Sequence, residues 1–102
     1  MEQLKKINFD FEAIPFIFKN PEFLIIIEEA KKEVVKYFKN AILNFSLYKD
    51  IEENYEVLNL IILSNLPIED LLKKETELFD NWFEKHYIDF KGKITLRVYP
   101  IS

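Results

Sequence analysis

Few residues in this chain have side chains suited to catalysis. His86 is the only imidazole. A lone histidine is the natural general base near neutral pH. Nucleophilic catalysis would need a hydroxyl beside it, and Ser46 and Ser64 are the ones to weigh. Neither lies in a motif that builds an oxyanion site, so His86 reads as a cation or a partly buried ring near a helix C-terminus. Asp50, Glu52 and Glu53 form an acidic cluster, with Asp89 further along. Closely spaced carboxylates can hold Ca²⁺ or Mg²⁺. The glycine that an EF-hand loop needs for its turn is missing here. The cluster therefore reads as a solvated acidic loop able to meet a basic partner. No catalytic, cofactor-binding or metal-binding residue is assigned, and the chain is expected not to be an enzyme.

What is missing narrows the field further. With no Cys there is no thiolate nucleophile, Cys-based metal site or disulfide framework. Gly92 is the only glycine, which removes the glycine-rich phosphate cradles of nucleotide-binding proteins. Arg97 is the only arginine, so bidentate capture of phosphate or carboxylate is scarcely available. No cofactor is expected. The net charge is −4, with acids and bases interspersed, which lacks the concentrated positive field of a nucleic-acid binder. Phe16-Ile17-Phe18-Lys19-Asn20 can be compared with the first motif of an RRM. Its aromatic and aliphatic positions are interchanged, and the second motif is absent, so no nucleic-acid partner is expected. The N-terminal Met-Glu-Gln-Leu-Lys-Lys leads into no signal-type apolar region. The apolar run Phe23 to Ile27 is far short of the ~20 residues needed to cross a bilayer. The expectation is a cytoplasmic protein with no membrane partner.

The elements that would position these residues follow from periodicity. The chain has 102 residues, 49% of them hydrophobic and 16% aromatic, enough for one cored domain over 1–102. Tyr55 to Leu63 is short, rich in Leu, Ile and Val, and apolar at both odd and even positions. Successive strand side chains point to opposite faces, so this pattern predicts a central strand. Residues 7–13 alternate apolar and polar, and 14–18 are also strand-like around Pro15; either stretch can form the first strand. Asn20-Pro21-Glu22 starts a helix, with Asn20 as its cap and Pro21 in its first position. That helix runs to about Lys39-Asn40. Ile42 to Tyr48 is a second strand, and Lys49 to Asn54 a loop into the central one. Asn65-Leu66-Pro67 opens a second helix. Its apolar stripe is Ile68, Leu71, Leu72, Leu78, Phe79, Trp82, Phe83 and Tyr87, interrupted by Glu75. Lys91-Gly92-Lys93 is a turn, and a last strand begins at Ile94.

The order β-α-β-β-α-β predicts a ferredoxin-like α+β fold: a four-stranded antiparallel sheet, first and third strands in the middle, two helices on one face. The other face would be open. Its candidate contact residues are Tyr55, Val57, Asn59 and Ile61, and the acidic contact loop is Asp50, Glu52 and Glu53. The leading functional expectation is a non-enzymatic module that binds protein, most simply itself as a homodimer. A small-ligand regulatory domain is the alternative; a hydrolase or an RNA-binding domain ranks last.

Asp50-Ile51-Glu52-Glu53, Tyr55-Glu56-Val57-Leu58, Pro67-Ile68-Glu69-Asp70-Leu71-Leu72 and Asn81-Trp82-Phe83 also carry a likeness. This C-terminal half resembles small uncharacterised prokaryotic α+β proteins, in which an acidic turn leads into a Leu/Ile strand and then a helix with a late Trp. The resemblance implies an accessory or antitoxin-like partner, and no established activity or site residue.

Overall fold

The computed structural model describes residues 4–87 and 93–101. Four strands form one mixed sheet in the order β1-β2-β3-β4. They are β1 (Lys6–Phe9), β2 (Ile42–Asp50), β3 (Tyr55–Ser64) and β4 (Ile94–Pro100). β2 and β3 make an antiparallel hairpin, with β1 parallel to β2 and β4 parallel to β3. Helices α1 (Ala13–Lys19) and α2 (Glu22–Tyr37) connect β1 to β2. Helix α3 (Ile68–Leu78) follows β3, then runs through a π-helical turn (Phe79–Phe83) into a last α turn (Glu84–Tyr87).

This overturns the ferredoxin-like antiparallel sheet. The second and third strands are central, and the first is an edge. The physical reason lies in β1 itself. It has four residues, with Ile7 and Phe9 still 37% and 39% exposed and Lys6 and Asn8 turned to the other face. A short strand with a charged, polar face suits an edge. β3 keeps the central place expected of it: Leu58, Leu60 and Ile62 are fully buried, and Ile61 and Leu63 are half-buried behind them. Both parallel crossovers pass over the same face, while the β1–β2 and β3–β4 pairs run in opposite directions. The two crossovers therefore have opposite hands. One of them is left-handed, a hand taken by only about 2% of such connections.

Of the two stretches offered for the first strand, part of 7–13 supplies it and 14–18 is helical. Pro15 is the third residue of α1, where an amide has no intrahelical acceptor and its loss costs nothing. Asn20 does not cap α2. Its side-chain Nδ2 donates to the Phe16 carbonyl at 2.9 Å, and its backbone N–H bonds the same turn, so it closes α1 instead. Pro21 holds the N-cap position of α2. α2 ends at Tyr37, and Asn40 then takes a φ of 56°, a left-handed conformation that Asn tolerates well.

The core lies between the helices and one face of the sheet. Cross-strand register sets Leu43 beside Ile62, and Phe45 beside Leu60 and then Leu96. α2 lays Phe23, Ile26, Ile27, Ala30 and Val34 on them. α3 and the π-helical turn after it, together the second helix that periodicity predicts, contribute Leu71, Leu78, Trp82 and Phe83 to the same cluster. Its expected stripe is narrower than periodicity suggested: Ile68, Leu72 and Phe79 are 57%, 59% and 40% exposed. Glu75 has a partner that explains its place. Its Oε2 accepts the backbone N–H of Val98 at 3.1 Å, which satisfies a donor on the outer edge of β4.

Candidate protein-interaction surface

Tyr55, Val57, Asn59 and Ile61 all lie on the sheet face without helices, because the odd positions of β3 oppose its core-facing even ones. That face is not an apolar plate. Register aligns Ser46, Asn59 and Thr95 in one row across three strands. Asn59 Nδ2 donates to Ser46 Oγ at 3.4 Å, and Thr95 Oγ1 donates to Asn59 Oδ1. In a neighbouring row Asn8 Nδ2 donates to Asn44 Oδ1 at 2.8 Å. Val57 is buried at 8% exposure, and Tyr55 tilts against Tyr48 with ring centres 6.2 Å apart. The polar groups in these rows satisfy one another and break the apolar surface into small islands.

The acidic loop has a structural job in part. Asp50 ends β2, and its Oδ1 accepts the Glu53 N–H at 3.1 Å. This is the local side-chain bond by which Asp fixes a turn. Asn54 completes it with a φ of 55°. Glu52 and Glu53 are exposed. Of the hydroxyls weighed for nucleophilic chemistry, Ser64 is 1% exposed and accepts the Leu66 N–H at 3.3 Å, while Ser46 lies on the opposite face. The His86 imidazole and Asp89, like the expected turn at Lys91-Gly92, lie outside the described residues. Among the described residues no group of His, Asp or Glu gathers where it could hold a metal ion, and no helix is long and apolar enough to cross a membrane.

The larger apolar exposure is at another place, the corner formed by β1, α1 and the start of α2. Phe11, Ile14 and Phe18 recur at helical spacing and are 89%, 43% and 80% exposed. They point away from Ala13 and Ile17, the buried residues of α1. Beside them an open groove of about 270 Å³ is walled by Phe9, Ile14, Ile17, Phe18, Leu24 and Ile27. Glu28 and Lys31 complete it, joined to each other by an ion pair at 3.0 Å. Aromatic side chains bury roughly 150–250 Å² each, so the exposed parts of Phe9, Phe11 and Phe18 alone amount to about 400 Å². That already falls within the ~300–600 Å² of the largest patch on a typical monomer.

The corner also presents backbone. The N–H of Asp10 bonds the Phe45 carbonyl, so even residues of β1 face β2. The alternation of a strand turns the N–H and C=O of Ile7 and Phe9 to the outer edge. Sequence reasoning missed this surface because β-branched and aromatic residues around Pro15 hid a helix. The available signal was the spacing of Phe11, Ile14 and Phe18.

Together these features define a two-layer α+β chain with one bare sheet edge beside an apolar groove. No family model, curated protein or solved structure matches it.

Proposed function

We propose that the chain is a non-enzymatic module that acts by binding protein, most simply another copy of itself, and that it binds through the β1–α1–α2 corner. The observation that carries this reading is the exposure of Phe11, Ile14 and Phe18 at helical spacing, beside a groove walled by Phe9, Ile14 and Phe18. The largest apolar patch of a monomer, of about this size, is often functional. A small-ligand role is less well supported: the groove is open, and its polar lining side chains, Glu28 and Lys31, are paired with each other. The test is sedimentation velocity from low micromolar to several hundred micromolar protein, on wild type and Phe18→Glu. Phe18 is 80% exposed, so the substitution leaves the core intact. The expected result is concentration-dependent association in wild type that Phe18→Glu abolishes, with unchanged circular dichroism. Association indifferent to Phe18→Glu would move the contact elsewhere. A wild-type monomer throughout would end the self-association reading.

A further inference from the structure

We infer that the partner is a second copy of this chain, joined edge to edge through antiparallel pairing of the two β1 strands into one continuous eight-stranded sheet. The inference rests on the protein-binding reading above and specifies its partner and geometry.

Two outward-facing residues, Ile7 and Phe9, flank Asn8. A two-fold axis perpendicular to the sheet at Asn8 sets Ile7 of one copy opposite Phe9 of the other. Each such couple exchanges both N–H···O=C bonds, and the couple occurs twice. Neighbouring registers use this edge less well. Centring on Ile7 opposes Phe9 to Lys5, and centring on Phe9 runs the pairing past Asp10 into the turn before α1.

Side chains follow the same register, and they are complementary. On the helix face, Ile7 meets Phe9 of the second copy, an aromatic–β-branched couple of the kind that stabilises cross-strand pairs. On the open face Asn8 meets Asn8, extending the Asn8–Asn44 amide bond into a row across both copies. Lys6 falls opposite Asp10 of the second copy, and Asp10 opposite its Lys6. The bare edge is thus self-complementary in backbone, apolar contact and charge.

Area agrees with this occupant. The axis is perpendicular to the sheet, so both helical layers lie on one side. The Phe11–Ile14–Phe18 stripes and the grooves are brought together above the joined strands. About 400 Å² from three rings is half of the ~800 Å² that each partner of a stable interface buries, before Ile7, Ile14, Leu24 and the backbone are added. The far edge of the sheet is handled differently. There Glu75 engages the Val98 N–H, whereas among the described residues nothing engages the outer edge of β1.

Charge reversal tests the register. Lys6 and Asp10 are both exposed, so single changes leave the fold intact. Lys6→Asp or Asp10→Lys alone turns both cross-axis couples repulsive and should weaken dimerisation by about tenfold. Mixing the two single variants, or combining both changes in one chain, restores opposite charges and should recover the affinity. Asn8→Cys adds a positional readout in a chain with no Cys of its own. A non-hydrogen-bonded couple on the axis has Cα atoms about 4.5 Å apart, within disulfide range, so mild oxidation should yield covalent dimer. Lys32→Cys, on the exposed side of α2, should not. A dimer that is lost with Phe18→Glu but indifferent to the charge swaps, with no Asn8→Cys cross-link, would overturn the strand pairing and leave the protein-binding reading standing. A monomer at every concentration would overturn both.

Discussion

Glu75 offers the sharpest test of how the fold is held. Glu75→Ala removes the acceptor that Val98 N–H uses at 3.1 Å. Hydrogen bonds to charged groups contribute about 1.5–3 kcal/mol net. Both partners are half-buried, so water can reach the freed amide, and the loss should lie near the low end. The expected cost is about 1–2 kcal/mol, including the packing of the side-chain methylenes. For a domain of this size roughly 1 kcal/mol corresponds to 4–8 °C in Tm, so the midpoint should fall by about 5–15 °C. Glu75→Gln keeps an acceptor oxygen of the same reach and should lose about half as much. Urea and thermal unfolding followed by circular dichroism at low protein concentration would measure both. Equal losses in the Ala and Gln variants would refute the hydrogen-bond account and leave only packing. A loss below about 0.5 kcal/mol in Glu75→Ala would show that β4 does not depend on this contact.

Two further substitutions probe the core and the hairpin. Phe45→Ala should cost about 3–5 kcal/mol in urea unfolding, because Phe45 is fully buried and stacks on Phe9 with ring centres 4.9 Å apart; a loss under about 1 kcal/mol would mean that the layer is not packed as described. Asn54 has a φ of 55°, so Asn54→Gly should be neutral or slightly stabilising and Asn54→Val should cost about 1–2 kcal/mol; equal stability of the two variants would place no left-handed residue in this turn.

Local patterns were legible wherever one residue's environment settles its role. Tyr55 to Leu63 is apolar on both sides, and β3 is one of the two central strands. Pro21 and Pro67 mark the starts of α2 and α3, and Asn40 turns the chain after α2. What was not legible depends on distant partners. The element order suits several sheets, and choosing among them requires knowing that β1 pairs with β2 in parallel, thirty-six residues away. The extra helix α1 was hidden because Pro15 reads as a strand breaker unless it falls in a first turn, where it is harmless. Tyr55, Val57, Asn59 and Ile61 share the face without helices, but the bonds among Ser46, Asn59 and Thr95 follow only from register, and they change the character of that face.

The contrast between the two sheet edges ties the fold to the proposed function. An unpaired edge is a template for another strand, and natural sheets blunt it with charge, brevity or cover. β4 is covered in this way: the one carboxylate that interrupts the stripe of α3 lies against its Val98 amide. Among the described residues, β1 is blunted only by its length and by Lys6. A lysine on an edge repels most strands laid beside it, yet in the two-fold register it meets an aspartate of the same chain. The same residue then discourages indiscriminate pairing and favours one partner. Specificity of this kind is a difference between affinities, set as much by the repulsion of wrong registers as by the attraction of the right one. Reversing Lys6 alone should therefore weaken the native dimer, and no one-residue slip can rescue it, because a slip would set Lys5 and residue 6 on opposite faces of the sheet. Cross-linking from Asn8→Cys should accordingly lose its yield in the Lys6→Asp and the Asp10→Lys backgrounds alike, and loss in Asp10→Lys, which makes the net charge of −4 less negative, would distinguish register selection from a general effect of net charge.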